Sequence, residues 1–222
     1  MLFENKEKNK EITLIKSLTN NYLTWILIFT SIYVISYKNV FKGIFTFFFI
    51  FFLSYFTHLS SHVNVNVFSI LHQYHHNNNN FFSHFIQYVI ELIFPLFLLP
   101  FHFIFDIWIV LFSAMFYSSV HNINYGLLHV NDVHFLHHKD VFTNLGPDFC
   151  DVIFNTKNEK NQNVENTSHY IPNIIIITIV ICFLKFMCLN KNIEKLLLNA
   201  FIFFQILLFL FYVVASIYVC DL

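Results

Sequence analysis

Thirteen histidines occur in 222 residues, and most fall at repeated short spacings. They read HLSSH at His58–His62, HQYHH at His72–His76 and HFLHH at His134–His138, with His121 and His129 just before the last. On an α-helix, positions i, i+3 and i+4 share one face. Each triplet is therefore expected to point three imidazoles the same way. A cluster of imidazoles inside an apolar protein is costly unless something binds it, and neutral imidazole is a common metal ligand.

Counting candidate ligands sharpens this. HLSSH offers His58 and His62, HQYHH offers His72, His75 and His76, and HFLHH offers His134, His137 and His138. His121 and then His129 would extend the set. A structural zinc site takes four ligands and is closed. So many imidazoles fit two five- or six-coordinate ions that keep positions open. Imidazole suits iron, copper, nickel and zinc alike, so spacing does not choose the metal. An all-nitrogen site at the edge of an apolar bundle suits dioxygen activation and attack on a chain too inert for acid–base chemistry. His84 is a further candidate, while His102 and His169 read as bystanders. Asp132, Asp140, Asp148 and Asp151 lie near the clusters. They read as partners orienting a ring N–H or, for Asp148 and Asp151, equally as turn or helix caps after Gly146–Pro147.

The composition says what surrounds these residues. The chain is 57% hydrophobic and 20% aromatic, has 32 phenylalanines, and only 11% of its residues are charged. With a mean hydropathy of +0.60, the expectation is an all-α integral membrane protein. A net charge of −1 gives no case for nucleic acid. Every basic residue is lysine, so no guanidinium can grip phosphate or carboxylate. Cys150, Cys182, Cys188 and Cys220 form no CxxC pair and read as small apolar residues.

Five apolar regions could position the histidines: 22–37, 40–57, 81–120 interrupted by Pro95 and Pro100, 172–189 and 196–219. Residues 1–21 read as a polar segment before a retained anchor, 22–156 as the histidine-bearing domain, 157–171 as an Asn-rich loop, and 172–219 as two added membrane helices. The first two regions form a hairpin turning at 38–42. The third forms two helices, about 81–99 and 101–120, or a re-entrant hairpin. Either way every histidine cluster collects at one membrane face. With the N-terminus inside, seven lysines lie inside against four outside (Lys38, Lys42, Lys191 and Lys195), which points the site at the cytosol. The NTS sequon at Asn166 is then expected to carry no glycan.

The order HxxxH, HxxHH, an isolated histidine, then HxxHH resembles the fatty acid hydroxylase/sterol desaturase superfamily. HNINY at His121 is similar to that family's isolated-histidine motif. NLGPDFCDVIFNT at Asn144–Thr156 is similar to its closing segment, with Cys150–Asp151 where a Trp-Asp pair is usual and Phe154–Asn155–Thr156 in place of FGT. The resemblance covers about His58 to Thr156. It implies an endoplasmic reticulum oxygenase with two iron ions, dioxygen, electrons from a cytochrome b-type carrier, and a sterol, sphingolipid or fatty acyl substrate. The implied ligands are His58, His62, His72, His75, His76, His121, His134, His137 and His138. The family often adds an element after the second motif; here only His84 and Glu91 are near, at different spacing.

The expectation is thus a lipid hydroxylase or desaturase supplied by a separate electron-donor protein. A non-catalytic metal transporter or sensor, or a family member that has lost activity, are the alternatives.

Overall fold

The computed structural model describes residues 13–63, 67–78, 80–158 and 164–188. The apolar region 196–219, Lys191, Lys195 and Cys220 lie outside the described residues. Within the described residues the chain is all-helical, without strands. Helix α1 (Thr13–Asn20) meets α2 (Tyr22–Ile35) at a 65° bend. There follow α3 (Val40–Val63), α4 (Val67–Asn77), α5 (Phe81–Ile93), α6 (Ile107–Ser119), α7 (Val133–Lys139), α8 (Asp148–Phe154) and α9 (Ile171–Met187).

Three stretches are long and apolar enough to cross a membrane: Val40–Val63, Phe81–Phe101 and Thr167–Met187. The bent pair α1–α2 would make a fourth. A helix rises about 1.5 Å per residue, so the 14 residues of α2 are too short alone for a ~30 Å hydrocarbon core. Large apolar side chains on the outside of these helices, such as Phe41, Tyr33, Ile176, Ile179 and Phe183, are exposed.

The third apolar region breaks close to Pro100 as expected, but its first half does not stay α-helical up to the break. After α5 the chain tightens into a 3-10 helix over Phe94–Phe101, which contains Pro95 and Pro100. Proline has no N–H to donate and clashes with the carbonyl four residues back, so the wider α-helical ladder cannot continue. The chain turns after Phe101, and Asp106 caps α6 by accepting from the N–H groups of Trp108 and Ile109. Beyond Ser119 the same helical run widens into a π-helix over Val120–Leu127, which carries His121 past the expected end at 120.

One core joins α2, α3, α6 and α9 through Ile28, Ile32, Phe47, Ile109, Phe112, Ile174 and Ile177. At the turn between α2 and α3, a Cβ on Gly43 would meet Ser36 Oγ at 2.5 Å, so only glycine lets these helices close. Ser36 donates to Asp106 across the same end of the bundle. The segment expected to be a polar tail is tied down at its end. Ser17 donates to Asp148 and Asn21 donates to the Glu165 carbonyl, and both are buried.

Candidate metal centre

The α3, α4 and α7 helices and the π-helical turn converge at one end of the bundle. His58 and His62 lie one helical turn apart on α3. They meet His72 and His76 of α4 and His137 of α7, and one ligand atom from each of the five lies within 4.8 Å of the others. His75, His121 and His134 form a second group by the same measure. Each HxxHH triplet is therefore divided. In α4 the pair at i and i+4 joins the first group and His75 the second, while in α7 His134 and His137 part ways. The expectation that each triplet points its three imidazoles the same way is corrected: the angular step between i and i+3 lets a single helix contribute to both groups.

The remaining candidates fall around these groups. His138 belongs to neither, but its Nε2 lies 2.8 Å from His134 Nε2 and its ring stacks on His76 at 4.0 Å between centroids. It stands where the two groups adjoin. The His84 ring sits 4.6 Å from that of His75. His129 is exposed and in neither group. His102 is exposed at the opposite end, where its carbonyl accepts from Lys42. His169 packs against Tyr170, away from both groups.

The nitrogens are arranged for a cation. Nε2 of His72 faces Nε2 of His62 and Nε2 of His76, each at 3.0 Å, and His58 Nε2 faces His137 Nε2 at 3.0 Å. A proton can bridge one such pair but not three lone pairs turned on one point. With metal–nitrogen bonds of about 2.1 Å, ligands at right angles stand about 3.0 Å apart. His75 is 1% exposed, and neither of its ring nitrogens has a hydrogen-bond partner. Buried polar atoms are otherwise satisfied almost without exception, so the donor set fits a bound metal.

Burial keeps these rings in the ligating form. It pushes His75 down to about 2, His137 to about 3 and His138 to about 4, with the neighbouring imidazoles adding to the effect at each. His72, His76 and His134 are lowered for the same reasons. All six are neutral at physiological pH, and the neutral ring is the one that binds metal.

The outer ring nitrogens are held from behind. His58 Nδ1 donates to the Leu145 carbonyl at 2.6 Å and His137 Nδ1 to the Thr143 carbonyl at 2.8 Å. Each bond fixes the tautomer that leaves Nε2 free to ligate. Both carbonyls come from the loop between α7 and α8. Gly146, at φ +62°, makes the turn, and Asp151 accepts from the N–H groups of Leu145 and Gly146 and from Thr156 Oγ1. Cys150 is buried against Tyr55 and Leu145.

None of the four aspartates contacts a clustered ring, which corrects that part of the sequence reading. Asp151 braces the turn, Asp148 pairs with Lys157, and Asp132 and Asp140 are exposed at the ends of α7. The carboxylate that does reach a ring is Glu91, which accepts from His121 Nδ1. Gln87 and Asn122 donate to the same carboxylate at 2.7 and 2.6 Å. The available signal was a charged residue in an otherwise apolar span, which is a functional candidate by default.

A pocket runs from His58, His121 and His134 into the bundle between α2, α3 and α6. Its inner wall is apolar, with Ile28, Phe47, Ile50, Phe116 and Val120. A smaller one reaches His58 and His72 from the α5 side, past Ser54, Thr57, Ser61 and Gln87. Comparison with family models, with curated proteins and with solved structures found no match.

Proposed function

We propose that the protein is a membrane-bound di-iron oxygenase that hydroxylates or desaturates a lipid, of the fatty acid hydroxylase/sterol desaturase kind. The observation that carries this reading is the pair of convergent imidazole groups beside one largely apolar pocket. Iron held by those groups would supply dioxygen activation strong enough for an unactivated C–H bond. Two electrons come from the lipid and two from an external cytochrome b-type carrier. In hydroxylation one oxygen atom enters the lipid and the other leaves as water; in desaturation both leave as water.

The chain's own residues have separable tasks. The carbonyls of Leu145 and Thr143 and the Glu91 carboxylate hold three imidazoles in orientation. His121 and His134 face the apolar cavity, so a chain lying there comes within reach of the three-histidine group. The aromatic and aliphatic wall excludes water from the reacting segment. Residence in the endoplasmic reticulum, with the site facing the cytosol, belongs to the same proposal.

A metal transporter would need a polar path through its spans. Here Asp106 is engaged by Ser36 and the start of α6, Lys185 donates to the Ile35 carbonyl, and Glu91 is engaged by His121. These contacts are local and do not line up. The test is metal analysis of the purified chain together with lipid profiles of cells with and without it. The expected result is bound iron and a lipid heavier by one oxygen or lighter by two hydrogens, lost in His137→Ala. Absence of iron with an unchanged lipid profile would overturn it.

A further inference from the structure

From Ile107 to Asn131 the chain carries no aspartate, glutamate or lysine. Within this stretch α6 and the π-helix form one helical run that ends at Leu127. At about 1.5 Å per residue the run is about 30 Å long, the thickness of a hydrocarbon core. Asp106 caps its far end, so the turn Leu127–Val130 stands at the opposite boundary, at the histidine end. Leu127 and Leu128 are 58% and 62% exposed, and Val130 is exposed as well. Gly126 packs against His84, which sets the turn level with the start of α5. There Phe81, Phe82 and Phe85 are also exposed, on a stretch apolar enough to cross a membrane. Apolar side chains gathered in this way mark a surface that something covers.

The backbone of the turn is prepared for a medium without water. The Leu128 N–H donates to the Ile123 carbonyl at 2.8 Å and the Val130 N–H to the Asn124 carbonyl at 3.1 Å. His129, at φ +48°, takes the left-handed conformation that closes a helix in this manner. A segment that enters lipid must satisfy its N–H groups internally, and these two are satisfied. The turn offers a charged protein partner nothing to grip, because the first charge is Asp132. The exposed His129 ring, which joins neither metal group, has the apolar body and polar tip that suit the headgroup level. Beyond Asp132 the character changes. Phe135 is exposed too, but the Lys139 ammonium lies over its ring at 4.0 Å, and Asp132, Lys139 and Asp140 are exposed around it. That side faces water.

We propose that the turn Leu127–Val130 is a membrane-contact element, seated in the bilayer at the boundary between acyl chains and headgroups. Its leucines and valine meet acyl chains beside Phe81, Phe82 and Phe85, and the water side of the protein begins at Asp132. The element fixes how deep the π-helix, and His121 on it, sits in the membrane. This rests on the membrane-bound part of the proposed function and not on the oxygenase chemistry.

The experiment labels the full chain in phosphatidylcholine nanodiscs with two photoactivatable diazirines and maps the adducts by mass spectrometry after pepsin digestion. One diazirine sits on the acyl chain of a phosphatidylcholine near its glycerol end, and the other on a water-soluble amino acid. The acyl probe is expected to label Leu127–Val130 together with the exposed Ile176 and Ile179 of α9. The water-borne probe is expected to label the segment around Lys139 instead. In Leu127→Asp combined with Leu128→Asp, acyl labelling of the turn is expected to be lost while that of α9 stays, which also reports an intact bundle. Should that variant fail to fold, the wild-type map decides alone. Labelling of the turn by the water-borne probe only, with α9 labelled from the acyl chain, overturns the proposal and leaves the membrane reading intact. Protection of the turn from both probes means that a second copy or another protein covers it, and overturns the proposal as well. Absence of acyl labelling from α9 and the turn alike removes the membrane reading itself, and the proposal falls with it.

Discussion

Nδ1 of His121 donates a hydrogen bond to the Glu91 carboxylate across 30 residues of sequence. Glu91 is buried within a stretch apolar enough to cross a membrane, where an unpaired charge would be expensive. The bond turns His121 Nε2 towards His134 Nδ1, 3.2 Å away. Glu91→Gln keeps the shape and removes the charge that anchors the ring. Its expected effect is a loss of about 10–100-fold in metal affinity at the three-histidine group, with the five-histidine group unchanged. A metal titration should then show one tight and one weakened site. Two unaltered sites would mean that the carboxylate does not position His121.

Gly126 backs directly onto the His84 imidazole. A Cβ at this position would meet His84 Nδ1 at 2.6 Å, inside any real contact. Gly126→Ala should therefore displace the ring and cost about 1–3 kcal/mol of stability. Adding His84→Ala removes the obstacle and should restore most of the loss in a thermal melt. Metal content measured on the same pair decides whether His84 also ligates. If it falls in His84→Ala alone, the ring belongs to the second group.

The histidine spacing was legible because a helix repeats its faces every three to four residues, so HxxxH and HxxHH announce aligned rings without tertiary information. The division of each triplet was not, since it depends on which neighbouring helix each ring meets. His75 and His76 are adjacent in sequence and serve different groups. The apolar runs over 40–57 and 172–189 reappear as helices, the first extended to Val63 and the second within two residues at each end. The burial of Ser17 and Asn21 was hidden because their partners, Asp148, Glu165 and Thr167, lie more than a hundred residues away. Glu91 stood in plain view as a charge among apolar residues, but its partner is set by how α5 packs beside the π-helical turn.

Single histidine replacements should sort the cluster. His137→Ala removes a ring of the five-histidine group and leaves the Thr143 carbonyl without its partner. It should lower metal affinity by at least about tenfold, by the scale of lost orienting contacts alone. His129→Ala and His102→Ala, both exposed and outside the groups, should bind metal as wild type does. Equal loss in all three would show that the histidines act through general stability rather than ligation.

Glu165 gives a prediction about pH. It is buried, and its carboxylate accepts from Tyr125 at 2.5 Å and Asn131 at 2.7 Å, with Tyr170 and the His169 ring beside it. Burial raises its pKa to about 7, the nearby Asp148 adds to this, and the Tyr125 hydrogen bond and Lys157 oppose it. The folded protein thus holds this proton more tightly than the unfolded chain, where the group titrates near 4.5. Between those values folding takes up a proton, so the contribution of Glu165 to stability falls as pH rises and levels off above about 7. Glu165→Gln cannot ionise and lacks this slope. Its melting temperature relative to wild type should climb from pH 5 to pH 8, by the equivalent of up to about 3 kcal/mol. A difference that stays flat across that range would show that the surrounding hydroxyls and amide hold Glu165 ionised in the fold.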